Sequence, residues 1–242
     1  MAAYAQQSSR LDEILNRGVL KIGTPGDYKP FTFKDPASGQ FAGFDIDQAQ
    51  SLAKALGVKL EIVETSWPSL TADFRAGKFD IAMGGVSATL ERQKYGLFSD
   101  SYMDAGKAPL TRCADRDKFN TLAAIDKPEV KVIVNPGGTN AVFVKDNIKR
   151  AQIVRWKDNL GIFDALAAGK GDVMITDSVE ALYQQKLHPK VLCAATVEQP
   201  FNKTQKAYWI QRDPYLAAFV DQWLRQEKLD GSLVALRKKW LY

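Results

Sequence analysis

The feature that most constrains the fold of this chain is an alternation of strand-like and helix-like segments that runs through two similar cycles. Each cycle contains a helical segment that ends in Ala-Gly-Lys and is followed directly by an apolar strand, "FRAGKFDIAM" in the first cycle and "LAAGKGDVMI" in the second. Repeated strand–helix units are typical of parallel sheets with helices on both faces. The internal similarity therefore predicts an α/β protein with two similar lobes.

Within each cycle, periodicity separates the helices from the strands. "GFDIDQAQSLAKALG" is predicted to be an amphipathic helix that stops at Gly57, because its apolar residues recur three and four positions apart. A second helix is predicted in "SWPSLTADFRAGK", between Ser66 and Gly77. The apolar face of the first helix consists of Ile46, Ala49, Leu52, Ala53 and Leu56. The remaining predicted elements are the strands "VLKIGT", "KLEIVE", "FDIAMGG", "VKVIVNPGG", "AQIVRW" and "GDVMITD", a helix from Thr139, and the helices "NLGIFDALAAGK" and "SVEALYQQKL".

The two cycles divide the chain into two lobes, each predicted to be a mostly parallel sheet flanked by helices. Residues 10–110, completed by residues 204–242, are predicted to form the first lobe, and residues 111–203 the second. The chain would cross between the lobes in "GKAPLTRC" and in "FNKTQKAYWI". Ligands of open α/β sheets bind beyond the carboxyl ends of the strands. Two such lobes facing each other predict a ligand cleft that closes about a hinge.

Composition and charge exclude several classes of function. An apolar content of 45% and a charged content of 25% are typical of a globular protein with a buried core. No apolar run approaches the roughly 20 residues of a membrane helix, so membrane insertion is not expected. The net charge is +5, but the basic residues form no stripe with interleaved aromatics, which argues against nucleic acid binding. A mild positive balance suits a small anionic ligand.

Cysteine and histidine usage bears on redox state and metal binding. Cys113 and Cys193 each lie near an apolar segment; they would pair in an oxidising compartment and remain buried thiols in the cytosol. Neither belongs to a CxxC motif, and the only histidine, His188, is predicted to lie in a surface turn before Pro189. We therefore expect neither a metal site built from Cys and His nor a Ser–His–Asp triad.

Five segments resemble family 3 of the solute-binding proteins, the periplasmic amino-acid receptors of uptake systems. They are "TPGDYKPFTF", "GFDIDQAQSLAKALG", "TSWPSL", "GKFDIAMGGVSATLERQKYGLFSDSY" and "GKGDVMITDSVEALY". The resemblance covers residues 10–240 and implies the two-lobed type II periplasmic-binding-protein fold. The segments "GDYKPF", "SWP", "GKAP", "VNPGGTN", "TDSVEA" and "LHP…LC…QPF" resemble one branch in particular, the cyclohexadienyl (arogenate/prephenate) dehydratases.

The resemblance implies a site for a ligand with a carboxylate and an amino group. Arg92 matches the residue that clamps the α-carboxylate in the family, and its guanidinium fork suits that role. The alternative is a surface arginine paired with Glu91 or Asp100. Asp177 matches the residue that holds the α-amino group, although it can also be the N-cap of the next helix. The other predicted substrate-binding residues are Tyr28, Trp67, Gly85, Ser87, Gly138, Thr139 and Asn140.

Some of these positions also allow purely structural roles. The backbone N–H groups of Gly138 and Thr139 can hold an anion at a helix start, or the segment is a simple strand-to-helix turn. The rings of Tyr28 and Trp67 either wall a ring-shaped ligand or pack in the core. Gly84 departs from the family, because receptors and many dehydratases carry a ligand-binding serine there, and Ser87 is a candidate to compensate.

Lys107, Asn135 and Glu180 distinguish the dehydratases from the amino-acid receptors. In receptors the first two positions are usually neutral and polar and the third is apolar, whereas the dehydratases resemble this sequence at all three. Loss of CO2 and hydroxide from prephenate or arogenate needs an acid, and such help is typically worth about 10² to 10⁴ in rate. The resemblance assigns Glu180 as the acid, with Lys107 and Asn135 positioning the ring end of the substrate.

Glu180 also fits a local role, since it lies three residues after Asp177, the spacing of a helix capping box. To act as an acid it must stay protonated near neutral pH. The helix N-terminus opposes this, whereas burial in a closed cleft raises a carboxyl pKa. We expect burial to prevail when the lobes close.

The leading interpretation is a periplasmic dehydratase that acts on arogenate and prephenate without a cofactor. The alternative is a non-catalytic receptor that delivers an amino acid such as arginine to an ABC transporter. Residues 1–10, with "AYA" before Gln6, fit either the remnant of a signal peptide or residues added for expression. The resemblance also implies a homo-oligomer, such as a trimer.

Overall fold

The computed structural model describes residues 9–241, so the "AYA" motif lies outside the described residues. Over this range the chain forms two five-stranded sheets, a two-stranded ribbon and a small three-stranded sheet, with helices between the strands. The predicted α/β fold class with two lobes is confirmed.

Between residues 19 and 187 the strands alternate with helices as the periodicity predicted, apart from short pieces at the turns. The helices before residue 18 and after residue 213 were not predicted. The strands are β1 (Val19–Thr24), β2 (Asp27–Tyr28), β3 (Thr32–Lys34), β4 (Phe41–Ala42), β5 (Lys59–Glu64), β6 (Ile81–Ala82), β7 (Leu97–Phe98), β8 (Met103–Ala105), β9 (Lys107–Arg112), β10 (Lys131–Val134), β11 (Gln152–Arg155), β12 (Val173–Asp177), β13 (Leu192–Ala194), β14 (Thr204–Lys206) and β15 (Trp209–Ile210). The helices are α1 (Arg10–Arg17), α2 (Phe44–Leu56), α3 (Leu70–Arg75), α4 (Leu90–Gln93), α5 (Leu122–Ile125), α6 (Gly138–Asn147), α7 (Ile162–Ala167), α8 (Ser178–Leu187), α9 (Pro214–Leu229) and α10 (Ser232–Trp240), with a 3₁₀ helix over Cys113–Lys118.

The two large sheets share one plan. The strand order is β5-β1-β6-β15-β7 in the first and β11-β10-β12-β9-β13 in the second. In each sheet the first three strands are parallel and the fourth runs antiparallel to its neighbours. The sequence similarity between the cycles reflects this plan, because β6 and β12, which follow the two Ala-Gly-Lys segments, are each the third strand of their sheet.

The fourth strand of each sheet comes from a segment predicted to be a crossover. The ribbon that joins the lobes is β8 paired with β14, and β9 already belongs to the second sheet. Since β9 spans the predicted boundary at residue 110, we propose that the first lobe boundary lies at Gly106. A Cβ atom there would lie 2.0 Å from the carbonyl oxygen of Asn202, so only glycine allows the two connecting segments to approach so closely.

The amphipathic face predicted for α2 is buried in the first lobe, and Gly57 ends the helix with a φ of 70°. Helix α9 packs into the same core through Leu216, Val220 and Leu224. The C-terminal helices therefore return to the first sheet. Burial of each such leucine is worth roughly 1.5–3 kcal/mol.

The predicted start of the second helix was wrong by three residues, because α3 begins at Leu70 rather than Trp67. The carbonyl oxygen of Ser66 accepts the N–H groups of Ser69, at 3.1 Å, and Leu70, at 2.7 Å, so the chain makes a turn through Trp67 before α3 begins. Pro68 explains the shift, since the residue before a proline is driven out of the helical region. The turn leaves Trp67 at the edge of the sheet, facing the second lobe.

Cys113 and Cys193 form a disulfide that ties the 3₁₀ helix after β9 to β13. This resolves the choice between a disulfide and two free thiols. His188 lies at the end of α8, where its Nδ1 contacts the carbonyl oxygen of Gln184 at 3.0 Å.

Candidate functional site

A cavity lies between the lobes, beyond the carboxyl ends of the parallel strands. It contains about 300 Å³ of empty space, but the centre of a water molecule can reach only about 20 Å³ of it. The closed cleft therefore has room for little more than a water molecule, and the lobes must separate to admit a substrate.

Residues from both lobes surround this cavity. The first lobe contributes Tyr28, Trp67, Gly85, Ser87 and Arg92 to its lining, and the second contributes Asn135, Gly138, Thr139, Asn140 and Asp177. Two lining residues, Asn159 and Lys206, were not anticipated. Lys107 and Glu180 lie behind the lining, where they are 1% and 0% exposed.

Asp177 is the electrostatic centre of the site. Its Oδ1 accepts from Lys107 Nζ at 2.7 Å, and its Oδ2 accepts from Lys206 Nζ and from the hydroxyl of Tyr28, both at 2.6 Å. Burial alone would raise the pKa of Asp177, but the two ammonium groups hold it well below its usual range. Asp177 is the N-cap of α8 by position, yet its side chain makes no capping bond, so the capping box with Glu180 does not form.

Lys107 is held by three acceptors from the second lobe. Besides Asp177, its Nζ donates to Thr139 Oγ1 at 2.9 Å and to the side-chain oxygen of Asn140. Burial lowers the pKa of Lys107, which Asp177 opposes. The lysine predicted to position the substrate is thus fixed to the start of α6.

Asn140 connects the three residues predicted to carry the chemistry. An ammonium only donates, so the amide oxygen of Asn140 faces Lys107 and its Nδ2 faces the other way. That nitrogen donates to Asn135 Oδ1 at 3.2 Å and to Thr176 Oγ1 at 3.0 Å. Since Thr176 accepts from Asn140, its own hydrogen is directed to Oε2 of Glu180.

The carboxyl group of Glu180 is in a state suited to an acid. Burial raises its pKa to about 8, against the lowering effect of the Thr176 hydrogen bond, and the charge of Asp177 adds to the rise. Within the described residues, Oε1 has no hydrogen-bond partner. At neutral pH the group is therefore largely protonated, and the bond from Thr176 to Oε2 leaves the acidic hydrogen on Oε1.

Arg92 lies on α4, where Thr89 caps the helix by accepting from the Arg92 N–H at 3.2 Å. Its Nη1 donates to the carbonyl oxygen of Ser87 at 2.9 Å, which uses one of its five donors. Burial lowers its pKa to about 10, so the side chain stays charged at neutral pH. Glu91 binds Lys94 instead, and Asp100 binds Arg225, which removes the surface ion pair considered as the alternative.

The lobes touch at Trp67 and the start of α6. Trp67 Nε1 donates to Asp27 Oδ1 at 2.9 Å, and its ring meets that of Tyr28 edge-on at 5.5 Å. Gly137 has a φ of 68°, and a Cβ atom there would lie 2.8 Å from the nitrogen of Pro68. The first glycine of "NPGG" is therefore needed for the lobes to close.

Close packing explains why residue 84 is a glycine. A Cβ atom on Gly84 would lie 2.6 Å from Thr24 Oγ1, and its φ is 153°. A serine does not fit this backbone without a shift. Ser87, which lines the cavity, contacts Lys206 at 3.0 Å.

Lys206 is the principal residue that the sequence reasoning missed. It ends β14 in the second connecting segment and is 1% exposed. The resemblance selected Lys107 and not Lys206, although both are lysines in the predicted crossover segments. Thr176 was also missed, since its role follows only from the position of Asn140.

In residues 9–241, no helix combines the length and the apolar character needed to cross a membrane. The same part of the chain brings together no group of three or more His, Cys, Asp or Glu side chains suited to a metal ion.

Comparisons with known proteins agree with this architecture. Cyclohexadienyl dehydratase of Pseudomonas aeruginosa is 48% identical over 240 residues, which span 99% of this chain and 89% of that protein. The structure of an ancestral cyclohexadienyl dehydratase is 53% identical, with a TM-score of 0.61 and 97% of both chains covered. The structure of an ancestral amino acid-binding protein, a precursor of cyclohexadienyl dehydratase, is 41% identical, with a TM-score of 0.88 and 97% and 100% of the two chains covered.

A family model covers almost all of the described residues and extends to the C-terminus. It is that of the bacterial extracellular solute-binding proteins, family 3, and it matches residues 20–242. Together with the identity of 48% over nearly the full length, this match shows that the chain belongs to the bacterial extracellular solute-binding proteins, family 3.

Proposed function

We propose that the protein is a cyclohexadienyl dehydratase that converts prephenate to phenylpyruvate and L-arogenate to L-phenylalanine without a cofactor. One observation carries the proposal: Glu180 is a fully buried carboxyl behind the cleft whose pKa, raised by burial to about 8, keeps it protonated at neutral pH. Expulsion of hydroxide needs a protonated acid of this kind. The identity of 48% to the Pseudomonas aeruginosa dehydratase supports the same activity.

The proposed step is a decarboxylation coupled to loss of water. The bond between the ring and its carboxylate breaks, CO2 leaves, and the electron pair of that bond enters the ring. The C–O bond on the opposite ring carbon breaks, and the departing oxygen takes the proton from Oε1 of Glu180 to form water. The ring becomes aromatic, and Glu180, left as a carboxylate, regains a proton from solvent when the lobes open to release product.

The carboxylate of the substrate side chain is assigned to Arg92 and the start of α6. Arg92 lines the cavity, and the one hydrogen bond from its guanidinium to Ser87 uses one of its five N–H donors. A planar guanidinium fork suits a carboxylate. The backbone N–H groups of Gly138 and Thr139 belong to the first turn of a ten-residue helix, whose dipole favours an anion.

Lys107 and Asn135 are assigned to the ring end of the substrate. Both are connected to Glu180 through Asn140 and Thr176, so a substrate held by them lies beside the acid. The network also keeps the charge of Lys107 directed to Asp177 rather than to Glu180. Tyr28 and Trp67 supply the aromatic wall of the cavity.

The alternative, an amino-acid receptor of an ABC transporter, is favoured by one observation, the TM-score of 0.88 to an ancestral amino acid-binding protein. A receptor for a neutral amino acid gains nothing from a buried acid at position 180. A receptor for arginine would pair Glu180 with the guanidinium group of its ligand. The neighbouring ammonium group of Lys107 opposes such a ligand by charge repulsion.

The test is direct. Purified protein is incubated with prephenate, and the formation of phenylpyruvate is followed. We expect turnover that saturates with prephenate. Absence of product above the uncatalysed background, together with tight calorimetric binding of arginine or another amino acid, would overturn the enzyme assignment.

We also propose that the protein acts in the periplasm and assembles as a homo-oligomer, such as a trimer. The family name refers to extracellular proteins, and the disulfide between Cys113 and Cys193 suits an oxidising compartment. Cell fractionation tests the location, and light scattering on the purified protein tests the assembly.

A further inference from the structure

Lys206 has no part in the step proposed above, yet its ammonium group occupies a complete binding site. Its Nζ donates to the carbonyl oxygen of Gly85 at 2.8 Å, to Ser87 Oγ at 3.0 Å and to Asp177 Oδ2 at 2.6 Å. An ammonium group has three N–H donors. These three acceptors match its three donors, and the Tyr28 hydroxyl lies 3.4 Å from the same nitrogen.

An aromatic ring and both lobes complete the enclosure. Lys206 Nζ lies 5.1 Å from the centre of the Tyr28 ring, which suits a cation–π contact. Gly85, Ser87 and Tyr28 belong to the first lobe, whereas Asp177 ends a strand of the second sheet. The site is thus assembled when the lobes close, at the place where a bound substrate would be enclosed.

The chemistry of this site is that of a receptor for an α-ammonium group. One carboxylate, one carbonyl, one hydroxyl and an aromatic face are suitable ligands for a primary ammonium, and only the hydroxyl among them has a donor for an anion. In this chain the side chain of Lys206 already fills it. The other oxygen of Asp177 is held by Lys107, so both carboxylate oxygens are occupied by ammonium groups of the protein itself.

The charges at the cavity also favour a substrate without an ammonium group. Two cationic side chains, Arg92 and Lys206, line the cavity with one ionised carboxylate, that of Asp177. A third, Lys107, pairs with Asp177 from behind the lining. Glu180 adds little charge at neutral pH, because burial raises its pKa to about 8. The excess positive charge complements a substrate with two carboxylates and no ammonium.

We infer that Lys206 is a specificity-determining residue that selects substrates with a keto oxygen on the α-carbon over substrates with an ammonium group there. This inference rests on the proposed function and names its substrate class as an α-keto dicarboxylate, so prephenate is favoured over arogenate. A keto oxygen only accepts and can share a donor of Lys206. The ammonium group of arogenate only donates, finds its acceptors taken, and meets like charge.

The experiment compares kcat/KM for prephenate and arogenate in the wild-type protein and in Lys206→Met. We expect the wild-type protein to favour prephenate by at least about tenfold, the factor that one lost charge-assisted hydrogen bond implies. Lys206→Met keeps the side-chain length and vacates the ammonium site, and should shift the ratio toward arogenate by a similar factor. Lys203→Met, the same change at an exposed lysine three residues away, is the matched control and should leave the ratio unchanged.

Lys206→Gln covers the case in which Lys206→Met does not fold, because it removes the charge and keeps a donor. Equal or better turnover of arogenate by the wild-type protein, or a ratio that neither substitution moves, would overturn the inference. If the wild-type protein turns over neither substrate, the proposed function fails and the inference is judged by calorimetry instead. A Lys206 variant must then bind L-phenylalanine at least about tenfold more tightly than the wild-type protein does, with phenylpyruvate as reference; no gain contradicts it.

Discussion

Lys107 binds Asp177 and not Glu180: its Nζ lies 2.7 Å from Oδ1 of Asp177, and within residues 9–241 no ion pair reaches Glu180. Asp177 thereby pairs with both buried lysines, Lys107 and Lys206, and stays ionised. Glu180, three residues further along the chain, is buried without such a partner, and its pKa rises to about 8. Two neighbouring carboxyl groups are driven to opposite protonation states, which is the arrangement that acid catalysis at neutral pH requires.

The first prediction concerns Glu180→Gln. Glutamine has nearly the same shape and can still accept from Thr176, but it has no proton to give. We expect kcat to fall by about 10² to 10⁴. Below pH 4.5, the ordinary pKa of the carboxyl, the group is neutral in the folded and unfolded states, and there the melting temperature should be nearly unchanged, because Glu180 does not cap α8. Steady-state kinetics with prephenate and thermal unfolding measure the two quantities.

The matched control for this change is Glu129→Gln, at an exposed glutamate of the second lobe, which should alter neither quantity. The assignment of Glu180 as the acid fails if turnover survives while the free energy of unfolding drops by about 1 kcal/mol, the size expected for a lost helix cap.

The second prediction concerns Thr176, which acts on the substrate only through Glu180. Its hydrogen bond lowers the pKa of Glu180, so Thr176→Val should raise that pKa further above about 8. The acid must be protonated to work, and the decline of kcat on the alkaline side should therefore move to higher pH. Thr176→Ser keeps the donor and should retain the wild-type profile. A decline that stays in place in Thr176→Val, or moves to lower pH, contradicts this positioning role.

Sequence periodicity predicted the fold of this protein well, because its elements are set by local pattern. β1, β5 and α8 begin and end where "VLKIGT", "KLEIVE" and "SVEALYQQKL" do. The exceptions have one local cause and one distant cause. Pro68 delays α3, and the antiparallel position of β9 depends on pairing with β12, which lies 60 residues further along the chain. Periodicity carries no information on such a distant pairing.

For the candidate site, the sequence identified residues but not the contacts among them. Arg92, Asp177 and Glu180 were identified because their types and positions match a family, but the bonds among them could not be. The competing roles of Asp177, as N-cap or as partner of an ammonium group, were decided by Lys206, which approaches from a segment 29 residues away. Protonation of Glu180 likewise depends on burial by both lobes, which no single segment encodes.

The third prediction links Glu180 to stability. Its folded pKa of about 8 lies above its ordinary value of 4.5, so between these values the folded state keeps a proton that the unfolded state has lost. Stability contributed by Glu180 is therefore fully present below its unfolded pKa and is lost as the pH rises through the folded pKa. Glu180→Gln should flatten the fall in unfolding free energy across this window.

Urea unfolding at several pH values measures this slope. Asp27 and Asp45, whose pKa values burial raises to about 6, contribute in the same direction in both proteins, so the difference between the proteins isolates Glu180. Equal slopes in the two proteins would show that Glu180 is ionised in the folded state.

The last prediction concerns closure of the lobes. Asn159 lines the cavity, and its Nδ2 donates at 2.8 Å to the backbone oxygen of Asp27 on the opposite lobe. Asn159→Ala removes this bond at a cost of about 0.5–1.5 kcal/mol to the closed state, which should lower kcat/KM by about 2- to 10-fold. Asn120→Ala is the control, since Asn120 bonds a backbone oxygen within one lobe, that of Asp117 at 3.2 Å. Small-angle scattering should show a larger radius of gyration for Asn159→Ala alone; an unchanged radius with unchanged kinetics would mean that the bond does not hold the lobes together.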